Sequence, residues 1–155
     1  MPAFKSIGEL KNFIQDVINM ELEDSVAQVI KDGLTNSAES NVYGVYTPNV
    51  YSRRHSLSDQ SNMDSHLLGD GVLEVAVKAS FNEGYGSTNS GEELAGLVEF
   101  GDGWNGYNYD YPYTKDGDNA FIYPRPFIQP VREEIGNDLK DIMRQALRNA
   151  GLKVQ

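Results

Sequence analysis

Cysteine is absent from the 155 residues. That removes disulfides, thiolate nucleophiles and cysteine-held zinc in one step, and it suits a reducing cytoplasm. Histidine is nearly absent as well: His55 and His66 are the two, both in polar segments, with no second imidazole or carboxylate at metal-ligand spacing. No stretch approaches the roughly 18 consecutive apolar residues that a membrane helix needs. The opening MPAFKSIGELKNF lacks the continuous apolar core of a secretion signal. The chain therefore reads as soluble and unexported, with no membrane partner. Basic side chains are scarce too, 13 Lys and Arg against 23 Asp and Glu for a net charge of -10. Residues 1 to 39 carry 3 basic and 7 acidic groups, residues 40 to 124 carry 4 and 12, and residues 125 to 155 carry 6 and 4. A duplex-binding domain needs a basic face to displace counterions from phosphates, so an acidic body argues against a grip on DNA.

Catalytic signatures are equally thin. Ser56 and Ser58 lie near His55, but no G-x-S-x-G element occurs to present a nucleophile. Gly84, Gly86 and Gly91 are not followed by Gly-Lys-Ser/Thr, which rules out a phosphate loop. Asp116-Gly117-Asp118-Asn119 lacks the alternating ligands and late Glu of a calcium loop and reads as a surface turn. Carboxylates are so many that no pair can be singled out for glycoside hydrolysis. No catalytic, metal or cofactor-binding residue is expected, and the chain reads as a non-enzyme.

What is present fits one domain over residues 1 to 155, since a chain of this length buries about 70% of its unfolded surface around one core. Ser6 with Glu9 three residues on has capping-box spacing. Leu10, Phe13, Ile14, Val17, Ile18, Leu22, Val26, Val29 and Ile30 then recur at steps of three and four, which predicts an amphipathic helix of about 25 residues ended by Gly33 to Ser37. Its acidic cluster Glu21, Glu23, Asp24 reads as a solvated face or a surface for a basic partner. Residues 41 to 48 suit a short strand halted by Pro48, and residues 50 to 57 a second extended segment. Residues 58 to 71 read as a polar loop. The alternation of Leu73, Val75, Val77, Ala79 and Phe81 predicts a strand over residues 72 to 81, paired with another over residues 94 to 100. The prolines at 126 and 130 open a last helix with the apolar stripe Phe127, Ile128, Val131, Ile135, Leu139, Ile142, Met143 and Leu147, and Gly151 is its C-terminal cap. The expected class is α+β: an antiparallel sheet packed by a long N-terminal helix and a C-terminal helix, with long loops.

Two features stand outside this frame. The segment Trp104-Asn105-Gly106-Tyr107-Asn108-Tyr109-Asp110-Tyr111-Pro112-Tyr113 concentrates rigid aromatic area with polar tips, the chemistry of interfaces and sugar platforms. It can touch another subunit, cover an edge of its own sheet, or stack on carbohydrate. Arg53-Arg54 is the one basic doublet of the acidic middle region, suited either to local pairing or to an ion pair across subunits with Glu21 to Asp24. Trp104, Tyr107, Tyr109, Tyr111, Tyr113, Arg53 and Arg54 are accordingly the expected partner-binding residues.

Three segments in this order carry a likeness: the N-terminal amphipathic helix, Val45-Tyr46-Thr47-Pro48 running on to Tyr51-Ser52-Arg53-Arg54-His55-Ser56-Leu57-Ser58-Asp59, and Leu97-Val98-Glu99-Phe100-Gly101 followed by Arg125-Pro126-Phe127-Ile128-Gln129-Pro130-Val131. They resemble the small head-tail joining proteins of long-tailed bacteriophages, the neck and tail-completion group. Val131, where Ala is common, and the longer aromatic loop depart from that pattern. The resemblance implies an α+β structural virion subunit, assembled in the bacterial host cytoplasm. It would form a ring, usually a hexamer, around the DNA channel, between the head-tail connector and tail proteins. A tail-terminator ring is the near alternative, and a carbohydrate-binding module using residues 104 to 113 the distant one. An acidic lumen would let DNA pass without sticking.

Overall fold

The computed structural model describes residues 3–45, 55–69, 71–78, 91–100 and 124–154. The architecture is α+β, a two-stranded antiparallel sheet with a long N-terminal and a C-terminal helix. Helix α1, Ile7–Glu21, starts where the sequence places it: Ser6 Oγ accepts from the Glu9 amide at 3.2 Å, while the Glu9 carboxylate takes the Lys5 amide at 2.8 Å. Phe4 folds back onto Phe13, ring centroids 5.1 Å apart.

The helix does not stop at Gly33. It runs through a π-turn at Leu22–Val26, α2 at Ala27–Ala38, and a second π-turn at Glu39–Tyr43, about 50 Å of nearly continuous helix. Two reasons override the local stop signals. Leu34, Ala38 and Val42 extend the buried face at every fourth residue, so ending the helix would strip three core side chains of their packing. Gly33 also lies directly against the last helix, α4 (Ile128–Asn149). A Cβ at Gly33 would stand 3.0 Å from Val131 Cγ1 and 3.6 Å from Ile135 Cδ1. The missing side chain is a packing requirement here rather than a break.

The expected strand over 41 to 48 is overturned in its first half, since Val42 and Tyr43 are helical; residues 46 to 48 lie outside the described set. Of the expected segment 50 to 57, the described His55 to Leu57 form a turn, with His55 at φ 56°. The expected polar loop over 58 to 71 contains a short helical turn at Gln60–Asn62 and then β1, Met63–Gly69. β1 pairs antiparallel with β2, Val72–Val77, from Met63 opposite Val77 to Leu67 opposite Leu73. A bulge leaves Leu68 outside the ladder, and Gly69 and Gly71 reverse the chain at φ 98° and 79°, a conformation that side chains strain to adopt.

Residues 94 to 100 are not the partner strand. They belong to helix α3, Gly91–Phe100, with Ala95 and Glu99 buried four residues apart. A short apolar run fits either period, and the two-stranded ladder takes its second strand from the nearer segment. Among the described residues one core results: Leu34, Ala38, Val42, Leu57, Met63, Val77, Ala95, Phe127 and Val131, with Ile30, Tyr43, Val75, Val98 and Ile135 against it. The C-terminal cap is as expected. Gly151, at φ 87°, donates to the Arg148 carbonyl, and Leu152 to the Leu147 carbonyl, both at 3.0 Å, the two bonds of a Schellman ending.

Candidate functional site

Helix α4 begins at Phe127-Ile128-Gln129-Pro130 with no Ser, Thr, Asp or Asn to cap it. A helix start leaves backbone donors unsatisfied, and burial makes them expensive: Phe127 has 0% exposure. The cap comes from α3. Glu99, 5% exposed, accepts the Phe127 and Ile128 amides on one carboxylate oxygen at 2.7 and 2.9 Å and the Gln129 amide on the other at 2.9 Å. Pro130 has no amide to satisfy. A carboxylate at this end of a helix also opposes its positive dipole end. The Arg125 amide donates to the Val98 carbonyl at 2.8 Å, and Asn41 Nδ2 donates to the Pro126 carbonyl at 3.2 Å. Thus α3 and the end of the long helix grip the proline-flanked start of α4 from two sides.

A second grip lies on the same helix. Thr35 Oγ1 donates to the Ser58 carbonyl at 3.1 Å, and the Leu57 amide donates to Tyr43 Oη at 3.0 Å. Glu39 Oε1 meets His55 Nδ1 at 2.8 Å and accepts from Ser58 Oγ at 2.5 Å. The His55 ring lies over Tyr43, centroids 4.4 Å apart. Gln28, Asp32 and Gln60 close the outer edge, each bond 2.8 to 3.0 Å. Ser, His and Glu here do not form a catalytic triad. The serine hydroxyl donates its hydrogen bond to the glutamate carboxylate or the His55 carbonyl rather than to the imidazole, so no base is placed on it as a triad requires. The cluster anchors the turn at residues 55 to 58 to the helix.

On the hairpin, Lys78 Nζ lies 2.6 Å from Asp64 Oδ2; this hydrogen bond and charge hold the Asp64 carboxyl below its ordinary range. Hydrogen bonds from Ser61, one of them its amide at 2.9 Å, do the same to Asp59. Among the described residues no group of three or more His, Asp or Glu is placed to hold a metal ion, and no helix is long and apolar enough to cross a membrane.

A family model described as YomN matches residues 6–149. The chain belongs to the YomN family. The YomN match opens on the α1 cap, Ser6, and closes on the last residue of α4, Asn149, so it takes in every element of the fold. YomN is a phage-type family, which makes this a phage protein. Comparisons with curated proteins and with solved structures find no match. In this YomN protein the expected partner-binding residues Trp104, Tyr107, Tyr109, Tyr111, Tyr113, Arg53 and Arg54 lie outside the described residues. What sequence reasoning missed is Glu99, assigned to a strand. A signal was available: a helix that opens with no local capping side chain needs an acceptor from elsewhere.

Proposed function

We propose that this phage protein is a structural virion component, a ring-forming neck or tail-completion subunit at the head-tail interface that surrounds the DNA channel. The observation that carries the reading is the start of α1. Among the described residues none before Val17 is buried, and Ile7, Leu10 and Ile14 are 86%, 39% and 37% exposed on one side of the helix. An isolated subunit would leave that apolar face in water, whereas an assembly covers it. The membership in a phage-type family supports the setting. The two grips described above support the subunit design: the first joins the Val98-Glu99-Phe100 and Arg125-Pro126-Phe127 segments and the second holds His55 to Ser58 on the long helix, all of them segments on which the resemblance rests.

Deletion of the gene from its phage tests the proposal. The expected outcome is DNA-filled heads and separate tails that fail to join, with joining restored by the purified protein, and a cryo-EM map of the wild-type particle with this fold in a ring at the junction. Normal infectious particles from the deletion, or a wild-type particle without the protein, would refute it.

A further inference from the structure

The described surface bears two uncovered apolar patches of unlike character. The first is the start of α1, with Lys5 and Lys11 beside Ile7, Leu10 and Ile14. The second is the far end of the β1-β2 hairpin, where Leu68 is 63% and Val72 53% exposed, with Glu74 close by in β2. Both remain exposed, so neither covers the other within one chain. Their charges are opposite. Residues 3 to 15 carry Lys5 and Lys11 against Glu9, whereas residues 63 to 77 carry Asp64, Asp70 and Glu74 with no Lys or Arg. Asp64 is answered by Lys78. Glu74, Lys5 and Lys11 make no ion pair among the described residues.

We propose that the hairpin tip of one copy docks on the first turns of α1 of the next copy. The proposal rests on the ring reading and supplies the two different surfaces that a head-to-tail ring requires. Leu68 is pushed out of the ladder by the bulge, and Val72 follows the glycine-bounded reversal, so the tip presents two aliphatic side chains on a short reach of backbone. α1 presents its aliphatic row at steps of three and four. Glu74 on one copy then faces Lys5 and Lys11 on the other, which fixes orientation as well as adding attraction. A symmetric α1-α1 contact centred on Leu10 would bring Lys11 towards its own copy and leave the hairpin tip bare.

The cysteine-free chain makes the test clean, because every disulfide formed comes from introduced thiols. Leu10→Cys and Leu68→Cys are prepared as single variants and together, and oxidised with diamide. Disulfides close only when Cα atoms approach to about 4.4–6.8 Å. The expected result is little cross-linking in either single variant, a 10-68 disulfide dimer as the main product of their mixture, and a ladder of covalent oligomers from the double variant. Homodimers of the single variants as the main product, or no intermolecular 10-68 disulfide, would overturn the docking. The same oxidation is run on virions assembled with the double variant. A ring without the 10-68 disulfide refutes this contact and leaves the ring reading standing. Virions that lack the protein refute the ring reading, and the docking is then decided by the solution cross-link.

Discussion

Replacing Glu99 tests the link between α3 and α4. Its carboxylate answers three amides at 2.7 to 2.9 Å, one of them on the fully buried Phe127. A hydrogen bond to a charged group contributes about 1.5–3 kcal/mol, and a buried donor left unsatisfied costs about 1–3 kcal/mol. In Glu99→Gln the amide oxygen can keep the Phe127 and Ile128 bonds in weakened form, but its NH2 meets the Gln129 amide donor to donor, for a loss of about 2 kcal/mol. Glu99→Ala removes the acceptor of all three donors. Ile128 and Gln129 are exposed enough for water to replace theirs, so the loss is set mainly by Phe127 and the vanished charge, about 3–4 kcal/mol. Glu99→Asp draws the carboxylate back by about 1.5 Å, one carbon-carbon bond, beyond hydrogen-bond reach of at least one amide, and falls between them. At about 2–4 °C per kcal/mol for a chain of this size, Glu99→Ala lowers Tm by about 10 °C. Urea and thermal unfolding followed by circular dichroism measure the losses, and amide exchange at 127 to 129 locates them. The exposed Glu133→Gln is the control, expected within about 0.5 kcal/mol of wild type. Equal stability of Glu99→Ala and that control, with unchanged exchange at these amides, would refute the reasoning.

Tyr43→Phe removes the acceptor for the Leu57 amide, whose residue is 2% exposed, and should lower the urea-derived stability by about 1–3 kcal/mol. Gly33→Leu drives a side chain into Val131 and Ile135; overpacking there should destabilise by about 1–3 kcal/mol despite the better helix propensity, and an unchanged or raised Tm would contradict the close approach. Asp64 has a folded-state pKa below its ordinary 3.8, so its contribution is present above that value and is lost as pH falls through the folded pKa. The urea midpoint of wild type should therefore exceed that of Asp64→Asn at about pH 7, and the gap should close by about pH 2.

Some of the fold was legible because it rests on neighbours in sequence. The Ser6 cap, the apolar row of α1 and the Gly151 ending are local backbone problems solved within a few residues, and the prolines mark where α4 starts although its cap comes from α3. The hairpin was half legible: the alternation in β2 was plain, but β1, Met-Asp-Ser-His-Leu-Leu-Gly, does not alternate cleanly. The Asp70-Gly71 pair between them was the available turn signal. The run Leu94 to Phe100 was ambiguous in kind, since an apolar stretch so short fits a strand or a helix.

By itself, the sequence determined the α+β class, the two terminal helices, the acidic balance and the lack of cysteine chemistry, because composition and short-range period are properties of the chain. Only the tertiary structure decided that the long helix passes through Gly33, that β1 rather than residues 94 to 100 pairs with β2, and that Glu99 caps a helix 28 residues further along the chain. Those outcomes depend on distant groups meeting: a backbone donor near Phe127 cannot stay buried unpaired, and Val131 needs room that a glycine across the helix pair leaves open.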